Sequence, residues 1–124
     1  AHSAGSSYAH GEYLALLQYN SHEEYRYHCD FLVTTNNESL PTVERSGQRR
    51  STVLVYLNDN FTGGETDFPK WKTCIAPHCG SAVVFNNLDE NGKPNFDSVH
   101  CGKPVVSGEK WLLSLWLREK VFAH

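Results

Sequence analysis

Short apolar segments separated by turn residues constrain the fold of this chain more than any other feature of its sequence. The segments are rich in β-branched, aromatic and aliphatic residues, and Gly, Pro, Asn and Asp cluster between them, which is typical of β-strands joined by turns. Five strand candidates cover residues 13–19, 27–33, 52–57, 81–85 and 111–117. No long amphipathic helical pattern interrupts them. The spacing predicts a mainly β fold, an antiparallel sandwich or barrel with little helix.

The composition is that of an ordinary globular domain. The chain has 124 residues, of which 40% are hydrophobic and 20% are charged, with a formal net charge of −3. This length suits one domain with a sizeable core. The acidic balance argues against nucleic acid or an anionic membrane as a partner, and the sequence shows neither a membrane-spanning apolar run nor a signal-peptide pattern. We expect a soluble domain, whose compartment and oligomeric state stay open.

The four cysteines indicate neither a zinc ribbon nor a dense disulfide framework. They are Cys29, Cys74, Cys79 and Cys101. Cys74 and Cys79 are close enough in sequence to pair across a turn, but two free thiols are the favoured interpretation.

A His-x-Asp pair and a distant histidine are the candidate metal ligands. In a strand, residues two apart point to the same face, so His28 and Asp30 could reach one ion while Cys29 points away. His100 would complete a set of two imidazoles and one carboxylate. Such a set occupies one face of an octahedral Fe(II) and leaves adjacent positions open for substrates and oxygen. Each signal alone is weak, because an isolated His-x-Asp is more often a hydrogen-bonded surface pair.

A zinc site is the alternative for the same residues. The dipeptides His28-Cys29 and His100-Cys101 together supply two imidazoles and two thiols. Neighbours on a strand project to opposite faces, however, and could not converge on one tetrahedral ion. His78-Cys79 lies in a Pro/Gly turn and could bind a metal adventitiously. Both zinc interpretations rank below the iron site.

The last strand candidate carries a mixed polar face. Alternation puts four residues on that face, namely Lys110, Leu112, Ser114 and Trp116. A lysine inside a barrel needs an anionic partner, because an unpaired buried charge is costly, so Lys110 is a candidate anchor for an acidic cosubstrate. The same alternation points Tyr56 toward this cavity. The opposite face of the last strand is apolar and is expected to pack against another layer.

The longest polar stretch spans residues 34–47. Long loops in compact domains are commonly functional. Because this one directly follows the His28 strand, we expect a lid over the site, the alternative being a simple mobile loop.

Taken in order, several segments resemble the prolyl 4-hydroxylase branch of the Fe(II)/2-oxoglutarate-dependent dioxygenases. The matching stretches run over nearly the whole chain: 17–19 (LQY), 25–30 (YRYHCD), 49–57 (RRSTVLVYL), 63–69 (GGETDFP), 77–88 (PHCGSAVVFNNL) and 100–119 (HCGKPVVSGEKWLLSLWLRE). Their combination is specific, although no single stretch is. The resemblance implies a double-stranded β-helix, a jelly roll whose mouth holds the iron.

The resemblance also implies roles for individual residues. His28, Asp30 and His100 match the iron ligands, and Lys110 matches the basic residue that pairs with the C5 carboxylate of 2-oxoglutarate (2OG). Four further residues match positions around the cosubstrate pocket: Tyr25, Tyr56, Ser114 and Trp116. Fe(II), 2OG and O2 are the implied cofactors, with ascorbate as reductant. Residues 1–124 would then be a single catalytic domain. The family's N-terminal bracing helices have no counterpart in this stretch, so either the parent chain is longer or another surface covers the main sheet.

The implied reaction is a hydroxylation that consumes 2OG and O2 and releases succinate and CO2. A prolyl residue in a peptide or protein is the expected substrate, giving 4-hydroxyproline. Two alternatives stay open, namely hydroxylation of another residue or a free amino acid, and a non-catalytic jelly-roll module that binds metal. Lys110 argues against the module, which needs no cosubstrate anchor. Asp30 disfavours a halogenase, and the acidic balance disfavours nucleic-acid demethylation.

Overall fold

Antiparallel strands make up most of the regular structure in the computed structural model, which describes residues 8–35 and 38–122. In chain order, the strands within these residues are β1 (Ala15–Tyr19), β2 (Tyr25–His28), β3 (Arg49–Tyr56), β4 (Thr62–Gly63), β5 (Thr66–Phe68), β6 (Thr73–Ile75), β7 (Ala82–Asn86), β8 (His100–Gly102), β9 (Val105–Ser107) and β10 (Lys110–Arg118). The described helices are α1 (Leu40–Ser46) and two short 3-10 helices, Tyr8–His10 and Phe96–Ser98.

The strands form two four-stranded sheets and one two-stranded pair. The main sheet has the order β1-β10-β3-β7, the minor sheet has the order β2-β8-β5-β6, and β4 pairs with β9. Every pairing is antiparallel. The first three strands alternate between the two large sheets, as they do in a jelly roll. The predicted mainly β jelly roll with little helix is therefore confirmed.

The hydrophobic core lies between the two large sheets. Leu54, Tyr56, Phe85 and Leu112 come from the main sheet, and Phe68 comes from the minor sheet. Fully burying an aliphatic or aromatic side chain of this size contributes about 1.5–3 kcal/mol. The core therefore holds the two sheets face to face.

The outward face of the main sheet stays partly exposed. On β10, Leu117 is fully buried, but Leu113 and Leu115 are only half-buried. Leu16, which is opposite Leu113 on β1, is 58% exposed. Within residues 8–35 and 38–122, the expectation that this apolar face packs against another layer is met at Leu117 alone. No helix in these residues is long and apolar enough to span a membrane.

The predicted strands of the main sheet agree with the observed ones. The candidates at 13–19, 52–57, 81–85 and 111–117 correspond to β1, β3, β7 and β10, with ends shifted by at most three residues. The strands β4, β5, β6, β8 and β9 contain only two or three residues each, and segments of that length carry no alternation from which a strand can be predicted. All four cysteines are free, as favoured for Cys74 and Cys79.

The candidate strand at 27–33 is wrong at its second half, because β2 ends at His28. Its partner β8 begins at His100, so no neighbouring strand is available beyond that point. The backbone of Leu32 pairs instead with the side chain of Gln48, whose amide bonds both the Leu32 N–H (2.6 Å) and its carbonyl (2.9 Å). Asp30 therefore lies in an irregular segment rather than on a strand face.

An irregularity within β2 changes which side chains share a face. Tyr25 is opposite Gly102, whereas His28 is opposite His100, so three steps along β2 match two steps along β8. This extra residue is a β-bulge, which re-aims the side chains that follow it. As a result, Tyr25 and His28 stack on each other, with ring centroids 3.8 Å apart.

Residues 40–46 form α1, so the predicted loop at residues 34–47 is helical in this part, while its role as a lid stays a prediction and residues 36 and 37 lie outside the described residues. Pro41 lies in the first turn, where its missing N–H breaks no helical hydrogen bond. Gly47 ends the helix at a φ of 78°, a left-handed conformation that favours glycine. Arg118 of β10 anchors the helix, since its Nε donates to the Gly47 carbonyl (2.7 Å) and its Nη2 to the Thr42 carbonyl (2.9 Å).

Replacing Arg118 by leucine is expected to lower the free energy of unfolding by about 3 kcal/mol. The side chain is 1% exposed and also donates to Glu12 at 3.3 Å, so its loss removes the donor for the Thr42 carbonyl within α1 and for the Gly47 carbonyl at its end. Urea unfolding measures the change. Lys70→Leu, at an exposed turn position, is the control expected to unfold like wild type. An unchanged midpoint for Arg118→Leu would show that α1 is not anchored in this way.

Candidate metal centre and cosubstrate pocket

Two histidines on neighbouring strands of the minor sheet face each other. His28 ends β2, and His100 begins β8 as its direct cross-strand partner, with ring centroids 4.3 Å apart. Asp30 lies just beyond β2, where its Oδ1 is 3.2 Å from His28 Nε2 and 3.4 Å from His100 Nε2. One potential ligand atom from each residue lies within 4.8 Å of the other two. The structure therefore brings the three predicted ligands together.

Backbone carbonyls orient both imidazole rings. His28 Nδ1 lies 2.6 Å from the Arg26 carbonyl oxygen, and His100 Nδ1 lies 2.8 Å from that of Ser98. Because a carbonyl only accepts hydrogen bonds, each Nδ1 carries a proton and donates it. The remaining nitrogen, Nε2, is the one that can hold either a proton shared with Asp30 or a metal ion. Contacts of this kind fix the ring orientation of metal-binding histidines.

Asp30 is 7% exposed and is held through both of its oxygens. Oδ1 faces the histidines, whereas Oδ2 accepts hydrogen bonds from the Thr52 hydroxyl (2.8 Å) and the Trp116 indole N–H (3.2 Å). Burial by itself raises the pKa of the carboxyl group. The contacts with His100, His28 and Thr52 outweigh burial and hold the pKa of Asp30 well below its usual range. The group is therefore a carboxylate at neutral pH.

The donor set fits a divalent cation. Two Nε2 atoms and one Oδ1 present lone pairs to the same region, and an ion there would satisfy all three. Two imidazoles with one carboxylate are typical of non-haem Fe(II) sites. The alternative zinc site with two thiols is not formed: Cys29 Sγ points toward the Phe96 carbonyl at 3.9 Å, and the metal-ligand cluster found in the described part of the chain contains no cysteine.

A cavity extends from these residues between the two sheets. Its wall consists of Leu17, Tyr19, Tyr25, His28, Asp30, Leu54, Thr66, His100, Gly102, Lys110, Leu112, Ser114 and Trp116. All four residues that alternation placed on one face of β10 belong to this wall. The prediction that this face of the last strand addresses the cavity is therefore confirmed.

Lys110 places a buried cation on the same wall. Its side chain is 2% exposed, and its Nζ donates to the Gly64 carbonyl at 2.8 Å. Burial lowers the pKa of Lys110 to about 8, with the negative charge of Glu65 opposing the shift. Within residues 8–35 and 38–122 no carboxylate forms an ion pair with it. Gly102 keeps the space beside it open, since a Cβ there would lie 3.4 Å from Nζ.

Three of the four residues predicted around the cosubstrate lie on the cavity wall. Tyr25 stacks on a histidine of the metal cluster, and Ser114 and Trp116 project from β10. Tyr56 is fully buried and does not line the cavity. Its hydroxyl forms a hydrogen bond with the hydroxyl of Thr66, which does form part of the cavity wall.

Sequence reasoning missed two hydroxyl-bearing residues of the wall, Tyr19 and Thr66. Tyr19 lies directly opposite Lys110 across the β1–β10 pair. Burial raises the pKa of Tyr19 to about 12, so it offers a neutral hydroxyl to the cavity. The pairing of β1 with β10 in this register is the signal that would have revealed it. Thr66 lies on a three-residue strand, which left no periodic signal.

The sequence matches the family model of the 2OG-Fe(II) oxygenase superfamily over residues 14–118. Over 113 residues it is 40% identical to a candidate prolyl 4-hydroxylase of Acanthamoeba polyphaga mimivirus, an alignment that covers 90% of this chain and 47% of the relative. It is 36% identical over 123 residues to prolyl 4-hydroxylase 1 of Arabidopsis thaliana, covering 89% of this chain and 42% of that protein.

A solved structure shares the fold as well as the sequence pattern. The viral collagen prolyl hydroxylase of Paramecium bursaria Chlorella virus-1, in its 2OG complex, superposes with a TM-score of 0.70 at 32% identity, covering 87% of this chain and 59% of that one. The chain thus spans about half the length of the curated relatives it matches. Because the family model covers most of its residues, the chain belongs to the 2OG-Fe(II) oxygenase superfamily.

Proposed function

We propose that residues 1–124 form a single catalytic domain that hydroxylates prolyl residues of a peptide or protein, giving 4-hydroxyproline, succinate and CO2. The observation that carries this proposal is the joint presence of the His28, Asp30 and His100 cluster and the buried Lys110 cation on one cavity wall. Membership of the superfamily implies Fe(II), 2OG and O2. Ascorbate is the reductant that we propose in addition.

In this proposal His28 and His100 bind the iron through Nε2, and Asp30 binds it through Oδ1. With three protein ligands, an iron ion held here would keep positions free for 2OG and O2. The bound iron supplies the oxidising chemistry, while the protein supplies binding, orientation and a dry environment. Phe68 and Phe85 exclude water from one side, since their rings lie 5.3 and 4.8 Å from the His100 ring.

Lys110 is the proposed anchor for the far carboxylate of 2OG. A buried ammonium without a carboxylate partner is costly, and an anionic ligand in the cavity would relieve that cost with a charge-assisted hydrogen bond. Ser114 and Thr66 offer hydroxyl groups on the same wall, and Tyr56 orients the hydroxyl of Thr66. Tyr25 and Trp116 supply the aromatic part of the pocket.

The names of the relatives support a prolyl substrate. The mimivirus relative is a candidate prolyl 4-hydroxylase, the Arabidopsis relative is prolyl 4-hydroxylase 1, and the viral structure is a collagen prolyl hydroxylase. Tyr25 supports it from the structure. It is 48% exposed while stacked on His28, which offers an aromatic surface beside the centre on which a proline ring could pack. We expect neither nucleic acid nor a membrane as a partner.

Incubation with Fe(II), ascorbate, 2OG and a panel of proline-rich peptides tests this proposal. We expect the mass of one oxygen atom to be added on proline, with succinate formed in equal amount. His100→Ala should lose both products, while His78→Ala, at an exposed turn, should keep them. Succinate without peptide modification would favour a small-molecule substrate, and the absence of both products would favour a non-catalytic module.

A further inference from the structure

We infer that Asn87 is a positioning residue for the iron centre, acting through Thr52 so that Asp30 presents one oxygen to the metal. The inference rests on the proposed function, in which Asp30 is a ligand. It concerns Thr52 of the main sheet and Asn87, which directly follows β7, and neither residue lines the cavity.

Three side chains form a continuous series of hydrogen bonds that leads to the metal cluster. Asn87 Nδ2 donates to Thr52 Oγ1 at 2.9 Å, and Thr52 Oγ1 donates to Asp30 Oδ2 at 2.8 Å. Asn87 and Thr52 are both 0% exposed, so bulk water cannot take the place of either partner. The Asn87 backbone is also fixed, because its N–H donates to the Arg50 carbonyl at 2.8 Å.

The orientation of the Asn87 amide sets the direction of this series. A hydroxyl group has one proton and can also accept hydrogen bonds. Because Thr52 accepts from Asn87 Nδ2, its single proton is available for Asp30 Oδ2. The reversed amide would place an oxygen against Thr52, attract that proton and leave Asp30 without this donor.

The oxygen of the Asn87 side-chain amide indicates that this residue serves the metal site rather than the stability of the fold. Asn87 Oδ1 has no hydrogen-bond partner among the described residues. An unpartnered buried acceptor costs about 1–3 kcal/mol, and such exceptions in a native structure call for an explanation. An apolar side chain of similar size would avoid the cost, but it could not hold Thr52 in the donating orientation.

A second donor acts on the same carboxylate oxygen. Trp116 Nε1 donates to Asp30 Oδ2 at 3.2 Å, and the Arg49 guanidinium lies 4.2 Å above the Trp116 ring. Two donors on Oδ2 leave Oδ1 as the oxygen that faces the histidines. Carboxylates can bind a metal through one oxygen or two. Hydrogen bonds that keep Oδ2 away from the metal would therefore leave free the coordination positions that 2OG and O2 require.

Mn(II) binding, measured by electron paramagnetic resonance, tests the inference without turnover. Thr52→Val removes the hydroxyl at similar volume, Thr52→Ser keeps it, and Asn87→Leu removes the amide. We expect Thr52→Val and Asn87→Leu each to weaken Mn(II) binding about tenfold, the scale typical of residues that orient metal ligands. Thr52→Ser should bind like wild type. In the Thr52→Val background, Asn87→Leu should add no further loss.

Unchanged Mn(II) affinity in Thr52→Val would overturn the inference, and so would a full additional loss from Asn87→Leu in the Thr52→Val background. A wild-type chain that binds no Mn(II) would instead contradict the proposed function. If Asn87→Leu does not fold, Asn87→Ser, whose side chain is too short to reach Thr52, replaces it in the same comparison.

The visible Fe(II)–2OG charge-transfer band is a second measurement. It should shift in Thr52→Val and not in Thr52→Ser, and an unshifted band in both variants counts against the inference.

Discussion

Replacing Asp30 by alanine is expected to reduce 2OG turnover by more than about 100-fold. Loss of a residue that only supports a metal ligand costs up to about 100-fold, and loss of a ligand itself should cost more. Asp30 is the one anionic member of the metal-ligand cluster. Its loss would remove a ligand and the negative charge that attracts a divalent cation. It would also leave the Thr52 hydroxyl and the Trp116 indole, both of which donate to it, without their acceptor.

Two further variants separate the causes of that loss. Asp30→Asn keeps the shape and an acceptor oxygen but removes the charge, so it should bind Mn(II) poorly while unfolding closer to wild type than Asp30→Ala does. Asp67→Ala removes a carboxylate that pairs with the exposed Tyr27 hydroxyl at 2.9 Å, and it should leave turnover nearly unchanged. Succinate formation and Mn(II) affinity are the measurements. Full succinate formation by Asp30→Ala would exclude Asp30 from the ligand set.

Alternation along β10 was sufficient to predict one wall of the cavity. When one face of an antiparallel sheet is buried, the parity of each residue fixes whether its side chain points inward. Lys110, Ser114 and Trp116 accordingly line the cavity. A nine-residue strand carries enough alternation for this reasoning, which is why the main sheet was predicted more completely than the minor sheet.

The metal cluster depends on features that no local pattern reveals. His28 and Asp30 were expected to share a strand face, but Asp30 lies beyond the end of β2. What brings the ligands together is the register in which His28 pairs with His100, after a bulge in β2. Pairing between segments 72 residues apart is set by the whole fold, so the family resemblance supported the cluster better than strand parity did.

The residues behind the cluster were beyond prediction for the same reason. Tyr19 enters the site only because β1 pairs with β10 opposite Lys110. Asn87 reaches Thr52 because it directly follows β7, which pairs with β3. A lone asparagine after a strand is usually a turn residue, and its sequence context gives no sign of a buried hydrogen bond.

Replacing Lys110 by methionine is expected to weaken 2OG binding about 100-fold, since truncating one partner of a buried hydrogen-bonded charge pair costs ~2–5 kcal/mol. The measurement is the dissociation constant of 2OG for the Mn(II)-loaded protein without O2, so that no turnover occurs. Lys103→Met removes an exposed lysine and should leave this constant unchanged. Wild-type affinity in Lys110→Met would show that 2OG is anchored elsewhere.

The pH dependence of 2OG binding distinguishes the charge of Lys110 from its shape. Because burial lowers the pKa of this lysine to about 8, the free protein holds the cation below that pH and loses it above. Both carboxylates of 2OG stay ionised throughout this range. The dissociation constant should therefore be flat below about pH 8 and rise about tenfold per pH unit above it, where binding must first protonate the lysine. Lys110→Arg, whose guanidinium stays charged, should show no such rise even if its affinity is lower. A wild-type constant that stays flat to about pH 9.5 would mean that the ammonium either does not titrate near 8 or does not bind the carboxylate.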